Sequence, residues 1–253
     1  MKYWTKKVYE EMQAFGLPGF YETEAELEEA RQWAIEDGHD FVERAIEYNE
    51  YRMPLWEQYL PRELVEYARN HQMLTCYLPE PKVLQAMQHA KQYWEDKWIG
   101  LCNQYAQQYQ SILNQLPAGA IELQENCHIH DAKIIAVREL PNNQQIHNTE
   151  SYKTIEIRLA HDSEYGYRFT FEGVTQFIYD VDILNNICLY KEIDREGEQH
   201  FAFGMLLCNA KGTQDSMNQM SIVFQSVTVE QGTHLGATNC SHASKSYGLS
   251  FGN

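Results

Sequence analysis

The sequence predicts an α+β protein with an all-helical N-terminal half and an antiparallel, β-rich C-terminal half. In the first half apolar residues recur with the period of about 3.6 that is typical of helices, and in the second they alternate with polar residues, as in strands. The two patterns meet at Pro117, a residue type that interrupts helices. We therefore expect a helical domain over 1–118, an antiparallel β-rich domain over 119–231 and a flexible tail over 232–253.

Two short amphipathic helices are expected at the start of the chain. The first ends at Gly16, which opens a segment rich in glycine and proline. The second follows Thr23, because Thr23 and Glu26 have the spacing of a capping box, in which each side chain binds the other residue's backbone N–H. Its apolar stripe includes Trp33, and Gly38 is placed to cap its C-terminus.

Two further short helices precede the longest one. Apolar spacing predicts a third helix over 41–51, and we expect it to end before Pro54, because the residue before a proline disfavours helical geometry. A fourth helix is expected to begin at Pro61, since proline suits the first turn of a helix.

An eleven-residue repeat predicts one long helix between Pro81 and Leu116. Eleven residues fill three turns at about 3.67 residues per turn, so a straight helix keeps such a repeat on one side. We expect this side to be buried and the shorter helices to pack against it. The residues of the repeat are Val83, Met87, Ala90, Trp94, Trp98, Leu101, Tyr105, Tyr109, Ile112 and Leu116.

The second half is expected to form a meander of antiparallel strands. In the strand that contains Ile155, Ile157 and Leu159, apolar residues alternate with Glu156 and Arg158, so one face is expected to be buried. The segment Asp194 to Glu198 has the composition of a hairpin turn. The predicted strands cover 133–137, 153–159, 167–171, 187–193, 200–207 and 221–229.

Charge excludes some classes of partner and suggests another. The net charge of −16, with no basic stripe, disfavours nucleic acid and anionic membrane surfaces as partners. Between Glu22 and Glu66 there are 14 acidic residues against four arginines. This surface either serves solubility or docks a basic protein. For the docking hypothesis the candidate binding residues are Glu24, Glu28, Glu36, Asp40 and Glu43.

The segment Cys127-His128-Ile129-His130-Asp131 is the densest group of metal-binding residue types. On a strand, His128 and His130 would share one face and could chelate zinc or iron, with Asp131 completing or orienting the site. Further ligands would come from His161 and Asp162 or from His200. The alternative, which we favour, is that these side chains make turn hydrogen bonds and that no cofactor is bound.

Other candidate sites are weaker. Asp180 and Asp182 would share a divalent cation on a strand, but a polar turn is the better interpretation. The string Gly248 to Gly252 matches the serine-hydrolase pattern, yet too few residues follow it to form the required helix. Phosphate-binding glycine motifs are absent from the sequence. A ligand site built on Trp94, Trp98 and Tyr105 would need these rings exposed, and we expect them to be buried.

Cysteine usage and the N-terminus predict a cytoplasmic protein. The six cysteines form no C-x-x-C pair, and the first residues, MKYWTKKVYEEMQ, contain no apolar signal segment. We therefore expect reduced thiols.

The start of the chain carries a family resemblance. Met1-Lys2-Tyr3-Trp4-Thr5-Lys6, Tyr9 and Glu11-Met12-Gln13 resemble the beginning of an uncharacterised bacterial family, the domain of unknown function 4085. His130-Asp131-Ala132 and Leu189-Tyr190-Lys191-Glu192-Ile193 resemble segments of its second half. The resemblance implies a helical half followed by a β-rich half over about 1–230, and it implies no activity.

These observations favour a cytoplasmic, non-enzymatic interaction protein, whose acidic helices cover a basic partner as an immunity protein or inhibitor does. The alternative is a metal-dependent hydrolase centred on His128, His130 and Asp131.

Overall fold

The chain divides into two compact units between Gln115 and Leu116. The computed structural model describes residues 1–141, 152–161, 165–179, 183–209 and 217–232. The architecture is α+β, as the sequence predicts, with helices in the first part and an antiparallel sheet in the second. Among the described helices, none is both long and apolar enough to cross a membrane.

Five helices form the first unit. They are α1 (Lys6–Phe15), α2 (Glu24–Glu36), α3 (Phe41–Tyr59), α4 (Arg62–Arg69) and α5 (Pro81–Ile112), and α5 is followed by a 3-10 turn (Leu113–Gln115). The predicted long helix is confirmed. Every residue of the eleven-residue repeat is buried or half-buried, whereas the residues on the other side of α5 are mostly exposed.

Aromatic rings cover the middle of α5. The N-terminal residues Tyr3 and Trp4 are both buried, and Trp4 lies with its ring centroid 5.1 Å from that of Trp98 and 5.8 Å from that of Tyr105. Closer to the N-terminus of α5, Trp94 stacks on Phe15 at 5.6 Å. These contacts fix α1 and the N-terminal residues against the long helix.

The prediction that the third helix ends before Pro54 is wrong, because Pro54 lies inside α3. Proline leaves the carbonyl four residues earlier, that of Glu50, without its helical hydrogen bond. Both Glu50 and Pro54 are exposed, so water can solvate that carbonyl, and the buried side chains of Leu55 and Trp56 hold the helix together beyond it.

In α2 the caps are largely as predicted, but the position of Trp33 is not. Thr23 accepts a hydrogen bond from Glu26 N, while the Glu26 carboxylate accepts one from Glu22 N instead of Thr23 N. Gly38, with φ +75°, follows the helix in a left-handed conformation. Trp33 is 63% exposed, because the buried side of α2 is defined by Leu27 and Ala34.

The second unit contains helix α6 (Ala118–Glu125) and a sheet of eight antiparallel strands. The strands are β1 (Lys133–Leu140), β2 (Lys153–His161), β3 (Tyr165–Val174), β4 (Gln176–Tyr179), β5 (Ile187–Glu196), β6 (His200–Cys208), β7 (Met217–Phe224) and β8 (Ser226–Gly232). Their order in the sheet is β4-β7-β6-β5-β1-β2-β3-β8. The predicted hairpin between β5 and β6 is confirmed, with Gly197 at φ +79° in its turn.

Three elements of this unit differ from the prediction. Helix α6 follows Pro117, in a segment for which no helix was predicted. The strand expected over 221–229 is two strands, β7 and β8, that meet at Gln225. Gln225 N donates to Glu172 O and Thr175 N donates to Val223 O, so the chain bends between β7 and β8 and between β3 and β4. These bends account for β4, which was not among the predicted strands.

The bends bring distant strands together over an aromatic core. Phe171 on β3 stacks on Phe203 of β6 at 5.7 Å and meets Phe224 of β7 edge-on at 5.1 Å. All three rings are fully buried. The sheet therefore folds over itself, and its apolar face forms the core of the second unit.

Helix α6 lies directly against the backbone of β8 at Gly119. A Cβ atom added at Gly119 would lie 1.6 Å from the carbonyl oxygen of Val227. Only glycine allows this approach, because the obstructing atom belongs to the backbone and has no rotamer that relieves the overlap.

We expect Gly119→Ala to destabilise the second unit by at least about 2 kcal/mol, because overpacking of this kind exceeds the helix propensity gained. The matched variant Gly100→Ala lies on α5, where an added Cβ meets open space, and should stabilise the first unit by about 0.5–1 kcal/mol. All five tryptophans precede residue 116, so tryptophan fluorescence in urea follows the first unit, and hydrogen exchange of the strands follows the second. Equal effects of the two variants would contradict this account of Gly119.

Candidate functional site: the acidic face of helices α2 and α3

The acidic residues between Glu22 and Glu66 lie on the surface. All of them are exposed except Glu66, which is half-buried. Helix α2 contributes only Leu27 and Ala34 to the buried residues, so most of its circumference is in solvent. We name the exposed acidic surface of α2, α3 and the turn between them the acidic face.

Two of the five predicted binding residues have local structural roles. Asp40 is the N-cap of α3, and its carboxylate accepts hydrogen bonds from Val42 N at 2.9 Å and Glu43 N at 3.0 Å. Glu28 accepts hydrogen bonds from the side chains of Arg31 at 2.8 Å and Gln32 at 2.7 Å. Capping and neighbouring pairs on one helix are sufficient reasons for both acids.

The other three predicted binding residues differ in their effect on the stability of the helices that contain them. Glu24 and Glu43 lie in the first turns of α2 and α3, where the helix dipole stabilises a negative charge. Glu36 lies in the last turn of α2 and is followed by Asp37 at the C-cap, where the dipole opposes both charges. The carboxylates of Glu36 and Asp37 are therefore not explained by the stability of α2.

Large apolar side chains are exposed on the same face. Trp33 is 63% exposed, Ile35 59%, Tyr48 40% and Tyr51 58%. One cleft of about 370 Å³ is lined by Trp33 and Tyr48 together with one acid, Asp37, and one base, Arg44. Sequence reasoning missed this feature because it assigned Trp33 to the buried stripe, although the adjacent Ala34 already fills that position.

The histidine segment is a loop between α6 and β1. Cys127, Ile129 and Ala132 are buried, and His128, His130 and Asp131 are exposed. The prediction that His128 and His130 lie on a strand is therefore wrong. Both side chains are nevertheless exposed. His130 Nδ1 lies 3.0 Å from an oxygen of Asp131, and the backbone of Asp131 has φ +65°.

The other predicted ligands do not join this pair. His161 Nε2 lies 2.8 Å from the backbone oxygen of His128, whereas the ring of His200 stacks on Tyr152 at 6.2 Å. Within the described ranges, no group of three or more His, Cys, Asp or Glu side chains is placed to hold a metal ion. Asp162, Asp180, Asp182, Cys240 and the tail with its serine-hydrolase string lie outside the described residues.

The alternative aromatic ligand site is occupied by other rings of the protein. Trp94 is buried, as predicted, and stacks on Phe15, while Trp98 and Tyr105 are half-buried and in contact with Trp4. These rings form part of the core of the first unit.

A half-buried lysine fixes the loop that follows α6. Lys191 on β5 donates hydrogen bonds of 2.6 Å to the backbone oxygens of Leu123 and Cys127. A cation near the C-terminal carbonyls of α6 also complements the helix dipole. Burial lowers the pKa of Lys191, and it raises the pKa of the neighbouring Cys127 thiol to about 11 and that of Cys188 to about 12. These thiols are protonated at neutral pH and are poor nucleophiles.

The chain was compared with known protein families, curated proteins and solved structures. The model of the family described as "Protein of unknown function (DUF4085)" matches residues 3–214. No curated protein and no solved structure shows a significant match to the chain.

We expect the second unit to lose stability as the pH rises above 9. The pKa values of Cys127 and Cys188 are higher in the folded state than their ordinary value of 9.0, so their stabilisation is complete below pH 9 and is lost as the pH rises toward 11 and 12. The lowered pKa of Lys191 has the opposite effect, adding stability as the pH approaches 10.5.

Hydrogen exchange of the strands at pH 8, 9 and 10 measures this slope. The double variant Cys127→Ala/Cys188→Ala should decline less steeply above pH 9, and Lys191→Met should decline more steeply, because it removes the opposing contribution. The same slope in all three proteins would contradict the assignment.

Proposed function

The chain belongs to the DUF4085 family, and we propose that it is a non-enzymatic interaction protein that binds a basic protein through the acidic face. Its role is inhibitor-like: the carboxylates of α2 and α3 cover a positively charged surface of the partner. We place it in the cytoplasm, in keeping with the free thiols of the five cysteines that the structure describes.

The observation that carries the proposal is the combination of exposed carboxylates with exposed aromatic rings on one face. An acidic surface that serves only solubility needs no large apolar side chains, and exposing them favours unwanted association. Protein interfaces, in contrast, are enriched in tryptophan and tyrosine, which supply most of the binding energy. Trp33 and Tyr48, beside Asp37 in one cleft, fit that description.

Local electrostatics also support binding over solubility. Acids at the N-termini of α2 and α3 stabilise their helices, but Glu36 and Asp37 lie at the C-terminus of α2, where they destabilise it. Carboxylates placed where they cost helix stability are explained by a use beyond the fold. A basic partner would neutralise them, and their field would accelerate its association. The described residues offer no comparable support for a metal-dependent hydrolase.

The test is a charge reversal on the acidic face. We expect Glu36→Lys/Glu43→Lys to weaken binding of the partner by at least about tenfold, because two attractive charges become repulsive. The two changes have opposite effects on helix stability, since a lysine is favourable in the last turn of α2 and unfavourable in the first turn of α3. Quantitative mass spectrometry of proteins retained from host lysate, at low and moderate salt, measures the loss.

The control is Glu196→Lys/Glu198→Lys, which makes the same change in net charge at the exposed turn between β5 and β6. It should retain the partner. Equal loss in both double variants would mean that only net charge matters, and absence of a specific basic partner at both salt concentrations would refute the proposal.

A further inference from the structure

The first unit contains an open groove of about 710 Å³. It lies between the connection from α1 to α2 and the N-terminal half of α5. Its wall is mostly apolar and includes Phe15, Leu17, Phe20, Pro79, Leu84 and Met87. Volume and lining are those of a site that takes apolar groups of a ligand.

The groove is adjacent to the acidic face. Tyr21 lines both this groove and the 370 Å³ cleft that contains Trp33 and Asp37. Glu22 also lines the groove, and Thr23 and the first turn of α2 with Glu24 follow it directly. An occupant of the groove therefore lies beside the exposed carboxylates.

The charges around the groove favour a cationic occupant. Its described lining contains two charged side chains, Glu22 and Lys91. The ammonium of Lys91 has a carboxylate oxygen of Glu95 at 4.0 Å, and the acids of α2 add to the negative potential. An anionic amphiphile would face this field, whereas a chain of lysines and arginines would be attracted by it.

One wall of the groove is fixed by contacts with α3 and α5. Arg52 on α3, which is 7% exposed, donates hydrogen bonds to the backbone oxygens of Gln13 and Gly16, at the end of α1. Gly16 and the neighbouring Phe15 both line the groove, and Phe15 stacks on Trp94. A wall fixed by a buried arginine and a ring stack loses little conformational freedom when a ligand binds.

We propose that this groove receives the apolar side of a basic amphipathic helix of the partner, while the basic side of that helix contacts the acidic face. This inference rests on the proposed function and names the partner's docking element. Helices of this kind insert residues spaced three or four apart into apolar grooves, and the flanking charges select the partner. Leu84, at 36% exposure, is the α5 residue placed to meet the inserted side chains.

Two synthetic peptides of identical composition test the inference. Both have 14 residues of leucine and lysine. In one, the leucines occupy one side of a helix, and in the other they are distributed around it. Fluorescence anisotropy of the labelled peptides gives Kd for the full chain. We expect the amphipathic peptide to bind about tenfold more tightly than its scrambled counterpart, because only the first buries its leucines in the groove.

Two variants of α5 locate the effect. Leu84→Gln should reduce the preference for the amphipathic peptide to about threefold or less. Ile99→Gln is the matched control, since Ile99 is 56% exposed on the same helix and outside the groove, and it should leave the preference unchanged. A preference that both variants lower equally would overturn the assignment to the groove.

The charge variant separates the two proposals. Glu36→Lys/Glu43→Lys should weaken both peptides by a similar factor. If both peptides bind equally and this variant weakens both, the groove inference fails and the proposed function stands. If the variant leaves both affinities unchanged, or neither peptide binds, the acidic face does not attract basic chains and both proposals fail.

Discussion

The first unit depends on the one-sided apolar face of α5. Its eleven-residue repeat stays on one side of a straight helix for 32 residues, so a single element supplies a partner surface for the N-terminal residues, α1 and α4. The rings of Trp94 and Trp98 form the centre of that surface. The core of the first unit is built mainly from elements other than α2, which contributes only two buried residues of its own. The sequence of α2 is therefore relatively free to serve the surface.

That freedom explains the character of the acidic face. A helix with two buried positions can carry charge and exposed rings without disturbing the core. Some of its acids still have structural uses, such as the capping carboxylate of Asp40. Charge alone thus does not identify a binding residue. What distinguishes Glu36 and Asp37 is that they oppose the dipole of their own helix and lie close in sequence to the exposed ring of Trp33.

Sequence patterns predicted those parts of the fold that depend on regular periodicity. The long helix, the capping residue Thr23 and the hairpin at Gly197 follow from local chemistry that tertiary contacts reinforce. Pro54 was misjudged because Glu50 and Pro54 are exposed, so that water can solvate the carbonyl that the proline leaves unbonded, and this exposure is visible only in the folded unit. The bend at Gln225 was missed because its hydrogen bond to Glu172 joins residues far apart in sequence.

The candidate site was likewise predicted only in part. Charge counting located the acidic face, since unpaired carboxylates seldom lie in a core. It did not reveal the exposure of Trp33, which depends on Ala34 being the residue that faces the core. Nor did it reveal the groove, whose wall combines the α1–α2 connection with side chains of α5.

The contact of Gly119 with Val227 has a consequence for biosynthesis. All residues of the first unit are present once residue 115 has been translated, so this unit can fold while the rest of the chain is still being synthesised. Helix α6, in contrast, emerges long before the strand that it packs against, which follows more than one hundred residues later. At about 5–20 residues per second this interval is on the order of ten seconds. The contact between α6 and β8 can therefore form only at the end of synthesis.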